Sequence, residues 1–545
     1  MAFAITQTCC TDASCVAVCP VNCIHPTPDE RGFGSASMLF IDPDACIDCG
    51  ACADACPVDA IGPVDMLADE GYAEINAAYF REHPADHAWG APDFPRTAPG
   101  VGPLRVAVVG TGPAACYAAQ ELLRSTEAEV TMIDRLATPG GLVRYGVAPD
   151  HPSTKKVGDT FATLFSHPRV RLHLGVEVGR DLTHAELAEH HHAVIYGTGP
   201  AADRRLDVPG EDLPGSVPAT RVVGWYNGHP DVPPDALDPA VELAGQRAVV
   251  IGNGNVALDV ARVLLTDPDA LAGTAIAGHA LERLRRSAVR EVVVLGRRGL
   301  EHAAYTRPEL RALTRLDGVE LVVDDDPDTA AAIEGAAPGS HAGLLAGVAR
   351  RPVDLAAAPG PGRRIVLRFG SSPTAILGED RVTAVRTAAA DIAAGLAVRA
   401  VGYRGTPLPG LPFDPASATV PHTAGRVVDP DTGSGVPGTY VVGWAKRGPS
   451  GGIGTNRTCA SETVGTLLDD ALAGELPAPT RTARHLTRLL RRRRRRGRST
   501  PVTVAPARVG DDSVGRSAAH GRGSRPARAS TRSNSVSVAT STIGP

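Results

Sequence analysis

The sequence predicts two architectures in one chain. A small α+β module stands at the front, and a larger α/β part built on parallel sheets follows it, ending in a basic segment read as disordered. Three observations predict this. Nine of the eleven cysteines fall before residue 57. From Leu104 onward, short β-branched runs alternate with helically spaced segments, and two such runs end in a Gly-rich turn that opens a helix. After about residue 475, periodicity gives way to Arg, Ser and Gly. At 545 residues the chain exceeds one domain, and 43% apolar residues suffice for several cores.

The cysteines come first. In "CIDCGACADACP", Cys46, Cys49, Cys52 and Cys56 follow C-x-x-C-x-x-C-x-x-x-C-P. This is the ligand run of a two-cluster bacterial ferredoxin, in which the fourth cysteine serves the other cluster. In the opening stretch "QTCCTDASCVAVCPVNC", Cys9, Cys15 and Cys19-Pro20 fall on positions one, three and four of the same template, and Asp12 stands at position two. The template gives one cluster to Cys9, Asp12, Cys15 and Cys56, and a second to Cys46, Cys49, Cys52 and Cys19. Cys10 and Cys23 lie off register and are read as unligated. Carboxylate oxygen is a harder, weaker partner for this iron than thiolate. The first cluster is therefore expected to interconvert between [4Fe-4S] and [3Fe-4S] forms beside a [4Fe-4S] second cluster. The alternative is that Asp12 is a turn residue beside a permanent three-iron cluster. Crowded thiols without an export signal argue for metal over disulfides.

The first Gly-rich turn is "VVGTGPAACYAA", with Gly110, Gly112 and Ala115 on the G-x-G-x-x-G/A pattern. Amides at the helix N-terminus can face a pyrophosphate there, and Asp134 closes the next strand where an acid can accept from a ribose hydroxyl. The second turn, "VVIGNGNVALDVAR", places Gly252, Gly254 and Ala257 in the same phase. Its following strand, "VVVLGRRG", ends in Arg297 and Arg298 rather than an acid, which suits a 2′-phosphate and favours NADP over NAD. A nicotinamide delivers electron pairs whereas clusters accept single electrons, and a flavin is the usual converter. The first site is therefore assigned to FAD and the second to NADPH. Cys116 and Cys459 are isolated, which disfavours a disulfide-reductase mechanism.

Five ordered stretches, "GTGPAACYAAQELL", "GGLVRYGVAPDHPSTKKV", "GNGNVALDVARVLL", "GRRGLEHAAYTRPEL" and "GWAKRGPSGGIGTN", resemble the adrenodoxin-reductase type of ferredoxin–NADP⁺ reductase. With the cysteine module in front, residues 1 to about 475 resemble the fused ferredoxin/ferredoxin–NADP⁺ reductases. The resemblance implies a ferredoxin-like domain at 1–66, a linker at 67–102, a discontinuous Rossmann-like FAD domain at 103–207 and 401–475, an NADP domain at 208–400, and a disordered tail at 476–545. It implies that Pro113, Ala114, Gly141, Leu142, Val143, Trp444, Gly451, Gly452 and Ile453 lie along FAD. Asn253, Asn255 and Val256 would line the NADP pyrophosphate with the glycines, Gly451 would also reach NADP, and Glu309 would join Arg297 and Arg298. His151, in "APDH", would stand near the reactive flavin ring as the catalytic residue; its other reading is a structural histidine beside "HPSTKK".

The expected reaction takes hydride from NADPH to FAD, then single electrons to the fused clusters and on to an external acceptor such as a P450 or another ferredoxin-dependent enzyme. Two other readings compete: a glutamate-synthase-like small subunit, and a non-catalytic electron-carrier scaffold. Residues 1–80 hold twelve Asp or Glu against one Arg, a balance that steers the module towards basic partner surfaces. Residues 481–545 carry sixteen Arg and two Asp. No aromatics are interleaved to stack on bases, so nucleic acid is not the expected partner. No apolar run could span a bilayer, and a cytoplasmic protein is expected.

Overall fold

The computed structural model describes residues 2–84 and 101–495, apart from positions 20, 29, 31, 34, 35, 68, 70, 201, 239–241 and 338–339. The front module consists of two short antiparallel pairs, Phe3–Ile5 with Ile61–Pro63 and Ile24–His25 with Phe40–Ile41, around the helices Ser14–Val18 and Ala51–Ala55. Its two halves repeat one backbone path. Thr11 and Asp48, Ala13 and Gly50, and Asn22 and Asp59 all take positive φ. Each pair is offset by the interval that separates Cys9 from Cys46. Asp12 and Cys49 therefore hold equivalent places.

The module continues past residue 66. The segment expected as linker begins with the helix Gly71–Glu82, whose Tyr72, Asn76 and Phe80 are buried. Asn76 explains the correction. Its side-chain oxygen accepts the N–H groups of Ile5 (3.1 Å) and Ile41 (2.8 Å), and its amide donates to the carbonyls of Ile5 and Tyr72. A fully satisfied polar side chain thus sits in an otherwise apolar helical stripe and ties both strand pairs together.

Two sheets organise the rest. In the first, strands run His422–Thr423, Arg426–Val428, Gly435–Val441, Ala193–Tyr196, Arg105–Val109, Glu129–Asp134, Val170–Leu174, parallel from Gly435–Val441 onward. The second is wholly parallel, in the order Ser216–Pro218, Leu396–Arg399, Arg247–Ile251, Glu291–Leu295, Arg363–Arg368, Val319–Asp324, Ala349–Arg351. The central strands are continuous apolar runs because both faces are covered. An antiparallel pair, Ala202–Asp203 with Tyr403–Arg404, joins the chain where it leaves the first sheet to the chain where it returns. A three-stranded antiparallel meander over 373–393 was not foreseen from the diluted sequence there.

The expectation of a disordered segment from 476 onward is corrected at its start. Ala483–Arg495 is a helix whose Leu486 and Leu490 are buried in the core of the first sheet. Arg493 pairs with Glu186 (2.7 Å) and donates to the Asp181 carbonyl (2.6 Å), while Arg481 pairs with Glu189 (2.8 Å). Arg484, Arg488, Arg491, Arg492 and Arg493 therefore form the solvent and rim face of an amphipathic helix; residues 496–545 lie outside the described residues. Leu490→Ala should cost this helix about 2–3 kcal/mol. Hydrogen exchange of residues 483–495 checks this: their protection should fall while that of the two sheets stays unchanged.

Candidate functional site

In the module, helices Ser14–Val18 and Ala51–Ala55 carry Cys15 and Cys52, both buried, and end at Cys19 and Cys56. Backbone N–H groups point at the sulfurs. Cys9 Sγ accepts from Thr11 and Leu39 (3.4 Å each), Cys19 Sγ from Cys23 (3.4 Å), and Cys56 Sγ from Ala60 (3.2 Å). Burial pushes the Cys9 thiol up to about 11 and the Cys52 thiol up to about 12, so a metal bound there must displace their protons. Soft thiols with amide donors aimed at them fit iron–sulfur ligation. Cys49 is exposed, as is Ile47 beside it.

The first Gly turn lies between strand Arg105–Val109 and helix Pro113–Ser125. Gly110 has φ +109°, and a Cβ there would stand 2.6 Å from the Gly197 carbonyl oxygen. Asp134 accepts from the Thr111 N–H (2.8 Å) and hydroxyl (2.6 Å) and from the Leu136 N–H (2.8 Å), so it fastens the turn to the next strand. Gly141 abuts Gly112 so closely that a Cβ would reach within 2.8 Å of its Cα, bringing Gly141, Leu142 and Val143 to the same place as Pro113, Ala114 and Ala115. Trp444 donates to the Ser450 carbonyl (3.0 Å) and leans on Tyr403 (5.3 Å between rings). Arg447 holds Ser450 and Asn456 but keeps a buried Nη1 with no hydrogen-bond partner among the described residues. That orphaned donor, and the open space in front of Gly452, fit a bound dinucleotide beside Gly451, Gly452 and Ile453.

The second turn repeats the device between strand Arg247–Ile251 and helix Asn255–Leu265. Gly252 has φ +117° and abuts the Ala400 carbonyl, and a Cβ at Gly254 would meet Ala304 Cβ at 4.0 Å. Asn253 packs on Gly296, and Asn255 accepts from the Thr306 N–H (2.7 Å). Val256 and the buried Ala257 follow on the helix. Arg297 and Arg298 end strand Glu291–Leu295 and are exposed, open to an anionic ligand.

Glu309, expected to join Arg297 and Arg298 at NADP, has His151 and Arg262 as its basic neighbours among the described residues. It stands 3.9 Å from His151 and 3.4 Å from Arg262. Arg262, whose side chain is 4% exposed, also pairs with Asp150 (2.7 Å) and Asp259 (2.8 Å). Sequence reading missed Arg262, Asp150 and Asp259; the signal was the polar pair Asp259 and Arg262 on an otherwise apolar helix. Burial and the Asp259 charge push Glu309 up to about 8 against the pull of Arg262. Burial and Arg262 hold His151 below its ordinary value, so the imidazole is neutral at pH 7. His151 and Glu309 lie 3.9 Å apart, beyond direct hydrogen-bond reach, and their surroundings favour the uncharged form of each.

The module docks on the larger part beside the first turn. The N–H of Gly454 donates to the Cys10 carbonyl (2.8 Å). Lys156 pairs with Asp59 (2.5 Å), Arg315 pairs with Asp69, and Arg311 lies over the Tyr72 ring (5.7 Å). Buried apolar residues of the module and of the first sheet form one continuous cluster.

Comparison with known proteins agrees with this division. A pyridine nucleotide-disulphide oxidoreductase family model matches residues 104–294, and a 4Fe-4S binding domain model matches residues 39–62. A "probable ferredoxin/ferredoxin–NADP reductase" of Mycobacterium tuberculosis is 47% identical over 524 residues, 90% of this chain and 88% of that protein. The NADPH-ferredoxin reductase FprA of the same organism is 47% identical, over 67% of this chain and 84% of its own length. The structure of M. tuberculosis FprA in complex with NADPH superposes with a TM-score of 0.63 at 43% identity, covering 72% of this chain and 91% of that one.

Proposed function

The chain belongs to the ferredoxin/ferredoxin–NADP reductase family, and from that premise we propose how its own residues divide the work of NADPH-dependent electron transfer through a flavin to iron–sulfur centres. Gly110, Gly112, Pro113, Ala114, Ala115, Gly141, Leu142, Val143, Trp444, Gly451, Gly452 and Ile453 hold FAD, with Asp134 bracing the turn. Gly252, Asn253, Gly254, Asn255, Val256 and Ala257 receive the NADPH pyrophosphate, and Arg297 and Arg298 its 2′-phosphate. Cys46, Cys49, Cys52 and Cys19 hold one cluster, and Cys9, Cys15 and Cys56 the other. Bound FAD supplies the conversion of a hydride into single electrons.

The protein's part is placement and charge. His151 and Glu309 are the proton-holding groups, and Arg262 fixes Glu309 and, through Asp150, the residue next to His151. One observation carries the reading: the N–H of Gly454, the residue following Gly451–Ile453, donates to the carbonyl of Cys10 in the first cysteine loop (2.8 Å). Flavin site and cluster loop are thereby adjacent in one molecule. An external one-electron acceptor protein completes the path. No helix among the described residues is long and apolar enough to cross a membrane.

Anaerobic titration of the holoprotein with NADPH tests this reading. Flavin absorbance should bleach and cluster EPR signals of the reduced states should follow; flavin bleaching with oxidised clusters would refute it. For the cofactor preference, Arg298→Ala should weaken NADPH about 10- to 100-fold, the worth of one or two charge-assisted hydrogen bonds, and leave NADH nearly unchanged. Equal losses for the two nucleotides would remove the 2′-phosphate assignment.

A further inference from the structure

Asp12 occupies the place that Cys49 holds in the second half of the module, where a fourth ligand would be sought. Its carboxylate is engaged otherwise. One oxygen accepts the Ser14 N–H (3.2 Å); the other accepts the Ser14 hydroxyl and stands 3.6 Å from Arg457. Arg457 also donates to the Ser14 hydroxyl oxygen and reaches the Asp12 carbonyl (3.5 Å). The Asp12 side chain is 8% exposed and that of Arg457 38%, so the carboxylate is shielded while the guanidinium reaches it from the surface.

The backbone around it is just as tightly seated. Gly454 lies against the Thr11 backbone and the Asp12 nitrogen so closely that no side chain fits there, although its φ of −65° would suit any residue. The loop from Cys9 to Ser14 is therefore pressed on the start of helix Thr455–Leu472, next to Gly451–Ile453. The equivalent loop of the second half is not covered. There Ile47 is 52% exposed and Cys49 is exposed, a large apolar side chain offered to solvent beside a thiol ligand.

We infer that Asp12 is the docking carboxylate through which Arg457 seats the Cys9–Ser14 loop on the flavin-bearing part, and that Cys9, Cys15 and Cys56 alone hold the first cluster. The inference rests on the flavin and cluster sites proposed above. It gives the module a direction. Electrons enter at the loop carrying Cys9 and leave at the loop carrying Ile47 and Cys49, towards an external protein. Arg457 is a positioning residue that acts through Asp12 and Ser14. A guanidinium suits the task because its fork spans a carboxylate and a neighbouring hydroxyl together.

The test uses the full-length holoprotein. Arg457→Ala should leave NADPH-driven ferricyanide reduction within twofold of the parent, slow stopped-flow bleaching of the clusters at least tenfold, and raise hydrogen exchange at residues 9–14. Arg457→Lys should restore most of the cluster rate. Ile47→Glu should slow reduction of added cytochrome c while cluster bleaching by NADPH stays at the parent rate. In the parent, the oxidised three-iron EPR signal should not change when Fe²⁺ alone is added. Cluster bleaching unaffected by Arg457→Ala overturns the docking role. An EPR signal that Fe²⁺ converts in the parent but not in Asp12→Asn overturns the reading of Asp12 as a non-ligand. Failure of NADPH to bleach the parent flavin would instead refute the underlying flavin assignment, and is read in the same experiment.

Discussion

Arg262→Ala should lower the stability of the folded chain by about 3–5 kcal/mol, the usual cost of removing one member of a buried ionic cluster. The side chain is 4% exposed and faces three carboxylates, Asp150, Asp259 and Glu309. Without the guanidinium, burial and mutual repulsion act on all three unopposed. Asp150 is now held below its ordinary value because pairing with Arg262 outweighs the burial that would raise it. That depressed value contributes stability above the ordinary carboxyl range, which is lost as pH falls through the folded value. Glu309, raised to about 8, acts in the other direction and costs stability as pH climbs from the ordinary glutamate range through 8. Urea unfolding at pH 7 measures the total. A loss under about 1 kcal/mol would mean that water replaces Arg262 at no great cost.

Gly110→Ala should yield a protein that folds but purifies with most of its flavin missing. The position combines φ +109° with a Cβ site 2.6 Å from the Gly197 carbonyl oxygen. A non-glycine residue held in such backbone costs about 1–3 kcal/mol before any clash is counted. The turn must move, and the amides at the start of helix Pro113–Ser125 move with it. Flavin-to-protein ratio, read from the visible spectrum, decides the matter; a stoichiometric ratio would show that the turn accommodates the methyl group without shifting its amides.

Much of this architecture was legible because its signals are local. A buried parallel strand, a glycine turn and a helix occupy some twenty consecutive residues, and both turns could be placed from "VVGTGP" and "VVIGNG" alone. The cysteine runs are equally local. What escaped was amphipathicity disguised by composition. In "GYAEINAAYFRE" the stripe Tyr72, Asn76, Phe80 has an amide at its centre, and the hydrogen bonds that justify it come from strands far away in the chain. In "ARHLTRLLRRRRR" the arginines conceal Leu486 and Leu490. The cluster around Arg262 escaped for another reason. Asp150, Asp259, Arg262 and Glu309 come from three separate segments, so only the tertiary fold shows that one guanidinium serves all three acids. The family motif led to His151 and Glu309 but gave no sign of Arg262, which stands 3.4 Å from Glu309.

The docked module has a kinetic consequence. Lys156–Asp59 and Arg315–Asp69 are solvent-exposed pairs, each worth about 1 kcal/mol or less, and between separate proteins such contacts would be short-lived and sensitive to dilution. Here both partners belong to one polypeptide, so their encounter is governed by an effective concentration on the order of millimolar rather than by how much protein is present. On the proposed path, delivery of electrons into the first cluster is then first-order in the enzyme. The hand-off on that path from the exposed loop at Ile47 and Cys49 is bimolecular, so its rate scales with the abundance of the acceptor protein.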